Sequence, residues 1–532
     1  MNRAIDPQNL QRLVVTGKSA IRSGNWALVD RCAAEILRYD RRNADGWFLR
    51  GLAAGARRMY REAHGAFSRV LEADRERFEA ALELAALSVV LMRHGEAATL
   101  LDKIEPSLQQ IPQYAFKAAE TYSRLGLHDR AWPLYRRAHE LQPDSERFQT
   151  GLAACATLVG EIEYARGLYN GLLKKHPKHQ RNHYELSRLG TAKDFEHVDR
   201  MKAVLESSQA PPERNIFLYY AIGKELEDLG EWSEAFRYYE LGGNAAAKQA
   251  RAAGYNVNSD IELIDSIIET CDPDWLESDR SRGDAGAADR QPIFVVGLPR
   301  TGTTLTERIL SSHSQVESAD ETFFLRIAIK MASGVPGSDA MSPDVIRGAA
   351  RRDSAEIARI YRDAVGYRLT DRPFFIDKYP ENYLYLGFIA RAFPAARMVQ
   401  LRRNPMDACF AMYKQSYFRQ AYTLQDLGDF YMAYDRISRH WRAVLGERLI
   451  EVDYESLVTE PEAQTRSLLD RLGLEFESAC LEFHRNTRPS ATASNLQVRE
   501  RVHTRSVNRW KYFEDQLQPL RDRLETAGIA IT

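Results

Sequence analysis

The sequence predicts a multidomain chain. An all-α solenoid of repeated helix pairs fills the N-terminal half, and an α/β domain with a parallel sheet and a phosphate-binding loop follows. Three observations predict this. Small apolar residues recur at a constant offset through the first half: Val29, Ala63, Ala97, Ala131 and Ala165 stand 34 positions apart. After Pro292, short apolar runs followed by charged residues alternate with helical patterns. The first of these runs leads into a glycine loop and then an amphipathic helix. The expected partition is 1–250 for the solenoid, clearest over 9–180, then 251–291 as a helix and linker, and 292–532 as the α/β domain.

Composition narrows the classes of function. The chain has 532 residues, enough for several domain-sized units, and its 44% hydrophobic and 28% charged residues are ordinary for a globular protein. A formal net charge of −1 gives no reason to expect a nucleic-acid partner. No run approaches the ~18 apolar residues of a membrane span. The start, MNRAIDPQNLQRLVV, lacks the apolar core and cleavage pattern of a secretory signal. The five cysteines (Cys32, Cys155, Cys271, Cys409, Cys480) are scattered and have no CxxC spacing. They are expected to be reduced thiols in a cytoplasmic protein, without a disulfide frame or a metal site.

Within the repeats the pattern is helix, turn, helix, stop. Thr121–Gly126 ends one helix, Asp129–Tyr135 begins the next, and Ala138–Pro143 closes it; Gly126 aligns with Gly160, and Pro143 with Pro177. Apolar residues at i, i+3 and i+4 support the helices, and a small residue at a fixed place lets the two helices of a pair approach closely. The pattern resembles the tetratricopeptide repeat, whose period is 34 residues. A degenerate unit is expected near Gly230–Ala235. Such stacks present a concave groove to a peptide or protein. Trp47, Tyr114, Tyr122, Trp132 and Tyr135 either line that groove or pack between helices. A helical piece at about 258–271 and a polar stretch at 276–291 then lead to the second half.

The predicted strands are Ile293–Val296, Phe374–Ile376, Met398–Leu401 and Leu449–Val452. Parallel sheets of this kind bind ligands beyond the carboxyl ends of their strands. There stand Arg300, Asp377-Lys378, Arg402-Arg403 and Asp453-Tyr454. The loop Gly297-Leu-Pro-Arg-Thr-Gly302-Thr303-Thr304 has the spacing of the Walker loop, G-x-x-x-x-G-K-[ST], with Thr303 in place of the lysine. Backbone N–H groups and the helix dipole make it an anion cradle. Without the lysine that reaches a β/γ-phosphate, a nucleotide with a different 5′ group is expected.

Pro299–Thr304 looks like the 5′-phosphosulfate loop of sulfotransferases, and Met398–Asp407, ending in Arg403-Asn-Pro-Met-Asp407, like their 3′-phosphate segment. With Asp377-Lys378 and Val452–Val458, the pattern resembles the tyrosylprotein sulfotransferase branch, and more closely bacterial proteins that join such a domain to tetratricopeptide repeats. The resemblance implies 3′-phosphoadenosine 5′-phosphosulfate (PAPS) as donor, a hydroxyl or amine as acceptor, and no metal. It implies that Pro299, Arg300, Thr301, Gly302, Thr303 and Thr304 hold the phosphosulfate. Glu321, 21 residues after Arg300, is then the base, with Asp320 as rival. Lys378 and Arg300 offset charge at the leaving group. Arg403 binds the 3′-phosphate, with Arg402 as alternate. Tyr454 matches a tyrosine near the nucleotide, Ser494 a serine at the sulfuryl group, and Arg509 a lysine on the cofactor. The family often has a serine where this chain has Ala411; Tyr413 or Lys414 is a candidate substitute.

The expected function is PAPS-dependent sulfotransfer in a cytoplasmic, bacterial protein. The acceptor is a protein tyrosine, or a hydroxyl of a saccharide, lipid or small molecule. The repeats recruit an acceptor or partner protein, or mediate homodimerisation. The rivals are a P-loop kinase and an inactive repeat scaffold.

Overall fold

A computed structural model of the chain describes residues 7–108, 110–278, 290–337, 341–489, 492 and 497–531. The chain forms two compact units, 1–159 and 160–532. Residues 279–289 of the stretch read as a linker lie outside the described residues.

The first unit is a stack of helix pairs, as the period predicts. Pro7–Arg22 pairs with Trp26–Tyr39, Ala44–Ala56 with Tyr60–Ala73, Phe78–Val90 with His94–Leu108, and Pro112–Arg124 with His128–Leu141; Glu146–Val159 ends the unit. Val29, Ala63, Ala97 and Ala131 each lie on the second helix of a pair, and all are fully buried. The turn inside each pair repeats as well. Residues 24, 58, 92 and 126 all have left-handed φ, at 68°, 61°, 61° and 73°, and Gly160, the first residue after this unit, has φ 95°. Glycine fills this position at 24, 126 and 160, where a Cβ would oppose the turn; Arg58 and Met92 adopt it without that relief. Tyr122 and Tyr135 are core residues, and Phe116 packs edge-on to Tyr135 with centroids 5.4 Å apart. Trp47 is half-buried under the Arg69 guanidinium, 4.4 Å from its ring.

The second unit begins with further helices, among them Gln180–Ser187, Ile216–Asp228, Trp232–Ala252 and Val257–Thr270. The last matches the helix expected near 258–271. Ala165 and Ala235 are fully buried. The sheet follows, with strands β1 (Gln291–Gly297), β2 (Val316–Ser318), β3 (Phe374–Asp377), β4 (Arg397–Arg402) and β5 (Leu449–Asp453). Their order is β2-β3-β1-β4-β5, and every pairing is parallel. Ile293, Phe294, Val295 and Val296 are wholly buried, as befits a central parallel strand covered on both faces. Chain order reverses direction across β1, so the loop after β1 opens at the topological switch point.

β2 is absent from the sequence prediction. Its central residue, Glu317, breaks the apolar pattern although it is fully buried. Glu317 accepts hydrogen bonds from the Thr370 N–H (2.9 Å) and hydroxyl (2.8 Å). Among the described residues no helix is long and apolar enough to cross a membrane.

Candidate active site

The five strand ends bring the candidate residues together. After β1 the chain turns through Arg300 (φ 71°) and Gly302 (φ 99°) into the helix Thr303–Ser311. Thr301 braces the loop, its hydroxyl donating to the Leu298 carbonyl at 2.6 Å, and the Leu298 N–H donates to the Tyr434 hydroxyl at 3.3 Å. Gly302 is the helix N-cap and has no side chain to spend on the first N–H groups, which stay available to an anion. Thr303 and Thr304 are buried in the first turn. A Cβ on Gly302 would stand 2.5 Å from Tyr454 Cδ2, so the tyrosine ring packs directly against the loop.

Glu321 follows β2, and Lys378 ends the extended segment of β3. The Lys378 ammonium pairs with Glu321 Oε1 and lies 3.7 Å from Glu307 Oε2. Lys378 is fully buried, whereas the Glu321 side chain is 32% exposed. Glu307 comes from the loop helix and accepts a hydrogen bond from Ser318. Of the two adjacent acids, Asp320 takes a different course. It has left-handed φ (61°) and sits 3.3 Å from Arg368. Burial pushes its carboxyl up to about 6, with Glu307 adding to the rise and Arg368 opposing it.

Asp377, beside Lys378 in sequence, faces away from it in function. It accepts hydrogen bonds from Tyr361 (2.8 Å), Thr322 (3.0 Å) and Asn382 (3.3 Å). Burial raises it to about 7 despite those donors.

Arg403 follows β4. Its Nη1 donates to the Arg300 carbonyl (2.7 Å) and its Nη2 to the Ser506 carbonyl (2.6 Å), over the face of Tyr454 at 4.7 Å. Its buried Nε has no hydrogen-bond partner among the described residues. Arg402 instead is 55% exposed and 3.8 Å from Glu451. Burial lowers the Arg300 guanidinium, and Arg403 and Arg188 push it the same way while Tyr417 opposes them. A site that crowds Arg300, Arg403 and Lys378 around an uncapped helix N-terminus suits a multiply charged anion.

The segment after residue 496 is tied down by Asp407, which accepts from the N–H groups of Asn508 (2.6 Å) and Trp510 (3.0 Å). Arg509 meets Glu227 (3.1 Å), its guanidinium 4.8 Å from the centre of the Trp232 ring and 5.2 Å from that of Tyr512. Glu227 is buried and also binds Lys414 (2.7 Å) and the Tyr239 hydroxyl (2.7 Å). Lys414 thus has its ammonium committed to Glu227, and Tyr413 stacks on Phe236 with centroids 5.6 Å apart. Ser494 lies outside the described residues. Sequence reasoning missed Glu307, Glu227, Arg188 and Tyr417, whose partners are remote in the chain. Among the described residues no group of three or more His, Cys, Asp or Glu could hold a metal ion.

Residues 292–478 match the model of the sulfotransferase family. An uncharacterized protein of Aquifex aeolicus (strain VF5) is 28% identical over 448 residues, covering 80% of this chain and 57% of that protein. Protein-tyrosine sulfotransferase 1 of Danio rerio is 25% identical over 205 residues, 36% of this chain and 56% of that protein. The chain thus spans little more than half the length of either relative. Among solved structures, the sulfotransferase domain from the curacin biosynthetic pathway aligns with 46% of this chain and all of its own, at 15% identity and a TM-score of 0.33. The residues that match the sulfotransferase family model contain the loop, Lys378 and Arg403, and the stacked helix pairs precede them in the same chain.

Proposed function

We propose that this protein transfers a sulfuryl group from PAPS to an acceptor hydroxyl, with a protein tyrosine as the leading acceptor class. The observation that carries this is the meeting of three cationic residues, Arg300, Lys378 and Arg403, from three strand ends beside one uncapped helix. The loop of residues 299–304 holds the 5′-phosphosulfate by its N–H groups and by the Thr303 and Thr304 hydroxyls. Arg403 turns its fork to the 3′-phosphate and gives up its two carbonyl partners, while Tyr454 supports its other face. Glu321 takes the acceptor proton, and Lys378 moves from Glu321 to the oxygen on which charge collects. Ser494 and Arg509 complete the donor site, Arg509 from the segment that Asp407 fastens. The repeats of residues 1–250 recruit an acceptor or partner protein, 251–291 connect, and 292–532 carry the chemistry in a cytoplasmic setting.

The test is incubation of the full chain with radiosulfur-labelled PAPS and lysate of the source organism. The expected result is a labelled acceptor, competed by adenosine 3′,5′-bisphosphate and not by ATP with Mg²⁺. Glu321→Gln is expected to lower the rate by about 10²-fold or more while the bisphosphate still binds. Binding of ATP with Mg²⁺ in preference to the bisphosphate would overturn the proposal.

A further inference from the structure

The ion cluster at the strand ends has three members, and the roles given above use only Glu321 and Lys378. The third, Glu307, stands on the helix Thr303–Ser311, one turn after Thr303 and so on the same helix face. Its carboxylate is buried, with Oε2 3.7 Å from the Lys378 ammonium. The Ser318 hydroxyl, at the end of β2, donates to Glu307 Oε1. The same hydroxyl accepts from the Asp320 N–H at 2.9 Å. The Asp320 carbonyl in turn accepts from the Lys378 N–H at 3.3 Å. One carboxylate thus joins the helix of the anion loop, the segment that carries Glu321 and the segment that carries Lys378. Two neighbouring cations are engaged elsewhere: Arg308 donates to the Arg488 carbonyl (2.9 Å), and Arg368 sits 3.3 Å from Asp320. Lys378 therefore holds two carboxylates, Glu307 buried and Glu321 part-exposed.

We propose that Glu307 is a positioning residue of this site, the permanent counter-ion of Lys378 that leaves Glu321 free to act as base. This rests on the function proposed above. Two carboxylates against one ammonium leave a surplus negative charge, and of the three groups Glu321 is the one that reaches solvent. Protonation of Glu321 removes that surplus. As the acceptor oxygen attacks sulfur, its proton passes to the Glu321 carboxylate. The new oxygen–sulfur bond forms while the bond from sulfur to the bridging oxygen breaks, and the electron pair leaves on the 5′-phosphate. Glu321 is then neutral, and Lys378 stays balanced by Glu307 as its ammonium turns to the departing phosphate. Without Glu307 the same proton transfer would leave a fully buried ammonium with no carboxylate, the costly state of a broken ion pair. Glu321 would then be held as the sole partner of Lys378 instead of serving as a base.

The experiment compares the full chain with Glu307→Gln, Glu307→Asp, Glu321→Gln and the double glutamine variant. Three quantities are read: calorimetric binding of adenosine 3′,5′-bisphosphate, urea unfolding, and the rate of labelling of a lysate of the source organism from radiosulfur-labelled PAPS across pH. Glu307→Gln can still accept from Ser318 and is expected to bind the bisphosphate within about 2-fold of the parent, with a maximal rate about 10-fold lower and little change in KM for PAPS. The acid limb of its rate is expected to move to lower pH by about 1, because a proton on Glu321 now leaves Lys378 uncompensated. Glu307→Asp restores the charge and is expected to bring the limb back. Glu381 and Tyr417, which also feel the charge of Glu321, are the same in every chain. In urea the double variant is expected to lose more than the two single losses added, because it alone strips both carboxylates from Lys378. An unmoved acid limb, a Glu307→Asp chain that behaves as Glu307→Gln, additive urea losses, or lost bisphosphate binding in Glu307→Gln overturns the proposal and leaves the sulfuryl-transfer reading standing. A parent chain that labels no acceptor, or does not bind the bisphosphate, overturns both.

Discussion

Lys378 and Glu321, delivered by neighbouring strands, form an ion pair in which the ammonium is fully buried and the carboxylate is not. The asymmetry matters. The buried cation has a second carboxylate, Glu307, at 3.7 Å, whereas Glu321 reaches solvent and can meet an incoming group. Removing one partner of a buried pair costs roughly 3–5 kcal/mol, and partial exposure of Glu321 places this pair toward the lower figure. Lys378→Met is therefore expected to lower unfolding stability by about 3 kcal/mol, read by urea denaturation. In the double variant with Glu321→Gln, the loss is expected to be smaller than the sum of the single losses, because the two residues share one interaction.

Arg403 is expected to govern donor affinity. Hydrogen bonds to charged groups contribute about 1.5–3 kcal/mol each, so Arg403→Ala is predicted to weaken adenosine 3′,5′-bisphosphate binding by roughly 10- to 100-fold. Arg403→Lys keeps the charge and loses the planar fork and its stacking on Tyr454, and is predicted to recover only part of the affinity. Arg402→Ala, at an exposed position on the other side of the strand, is predicted to bind normally. Calorimetric titration of the three variants distinguishes these outcomes.

Gly302→Ala combines two faults. The new Cβ falls on the Tyr454 ring, and the φ of 99° is strained for any L side chain. A residue held in such a region costs about 1–3 kcal/mol. The variant is expected to melt lower and to bind the bisphosphate more weakly. Tyr454→Ala in the same chain relieves the collision but not the backbone strain. Thermal unfolding of the double variant is therefore expected to recover only part of the loss.

Asp377 predicts a pH dependence. Its folded-state value of about 7 lies above its ordinary value of 3.8, so its protonated form is favoured in the fold. Its contribution to stability is fully present below about pH 4 and is lost as pH rises through about 7. Asp377→Asn removes that ionisation. Its stability relative to the parent chain is thus expected to improve steadily between about pH 4 and 8, read from denaturation curves at successive pH values. A difference that stays flat across this window would show that Asp377 is ionised in the fold.

The loop, Lys378 and Arg403 were legible because each follows an apolar run directly, and parallel sheets concentrate their chemistry at that edge. The repeat period was legible because one small residue per pair must let two helices touch. β2 was not, because Glu317 is buried by hydrogen bonds to Thr370 that no local pattern announces. Nor was the setting of Arg509 and Lys414. Their shared carboxylate, Glu227, lies 187 positions before Lys414, within helices that resemble degenerate repeats. The pair Asp320-Glu321 could be narrowed to two candidates by spacing. Only the positions of Arg368 and Lys378 show which acid turns toward which cation.

The junction at Glu227 bears on how the molecule can be dissected. A fragment beginning at residue 292 would carry every motif of the α/β domain, yet it would strip the shared carboxylate from both Lys414 and Arg509. It would also uncover Tyr413, where Phe236 stacks, and Tyr512, whose ring lies 4.4 Å from that of Trp232. Two unneutralised cations and two bared aromatic faces favour aggregation over activity. A fragment beginning at residue 160 keeps the seam whole. The minimal catalytic piece is set by where the charges are balanced, well upstream of where the motifs begin.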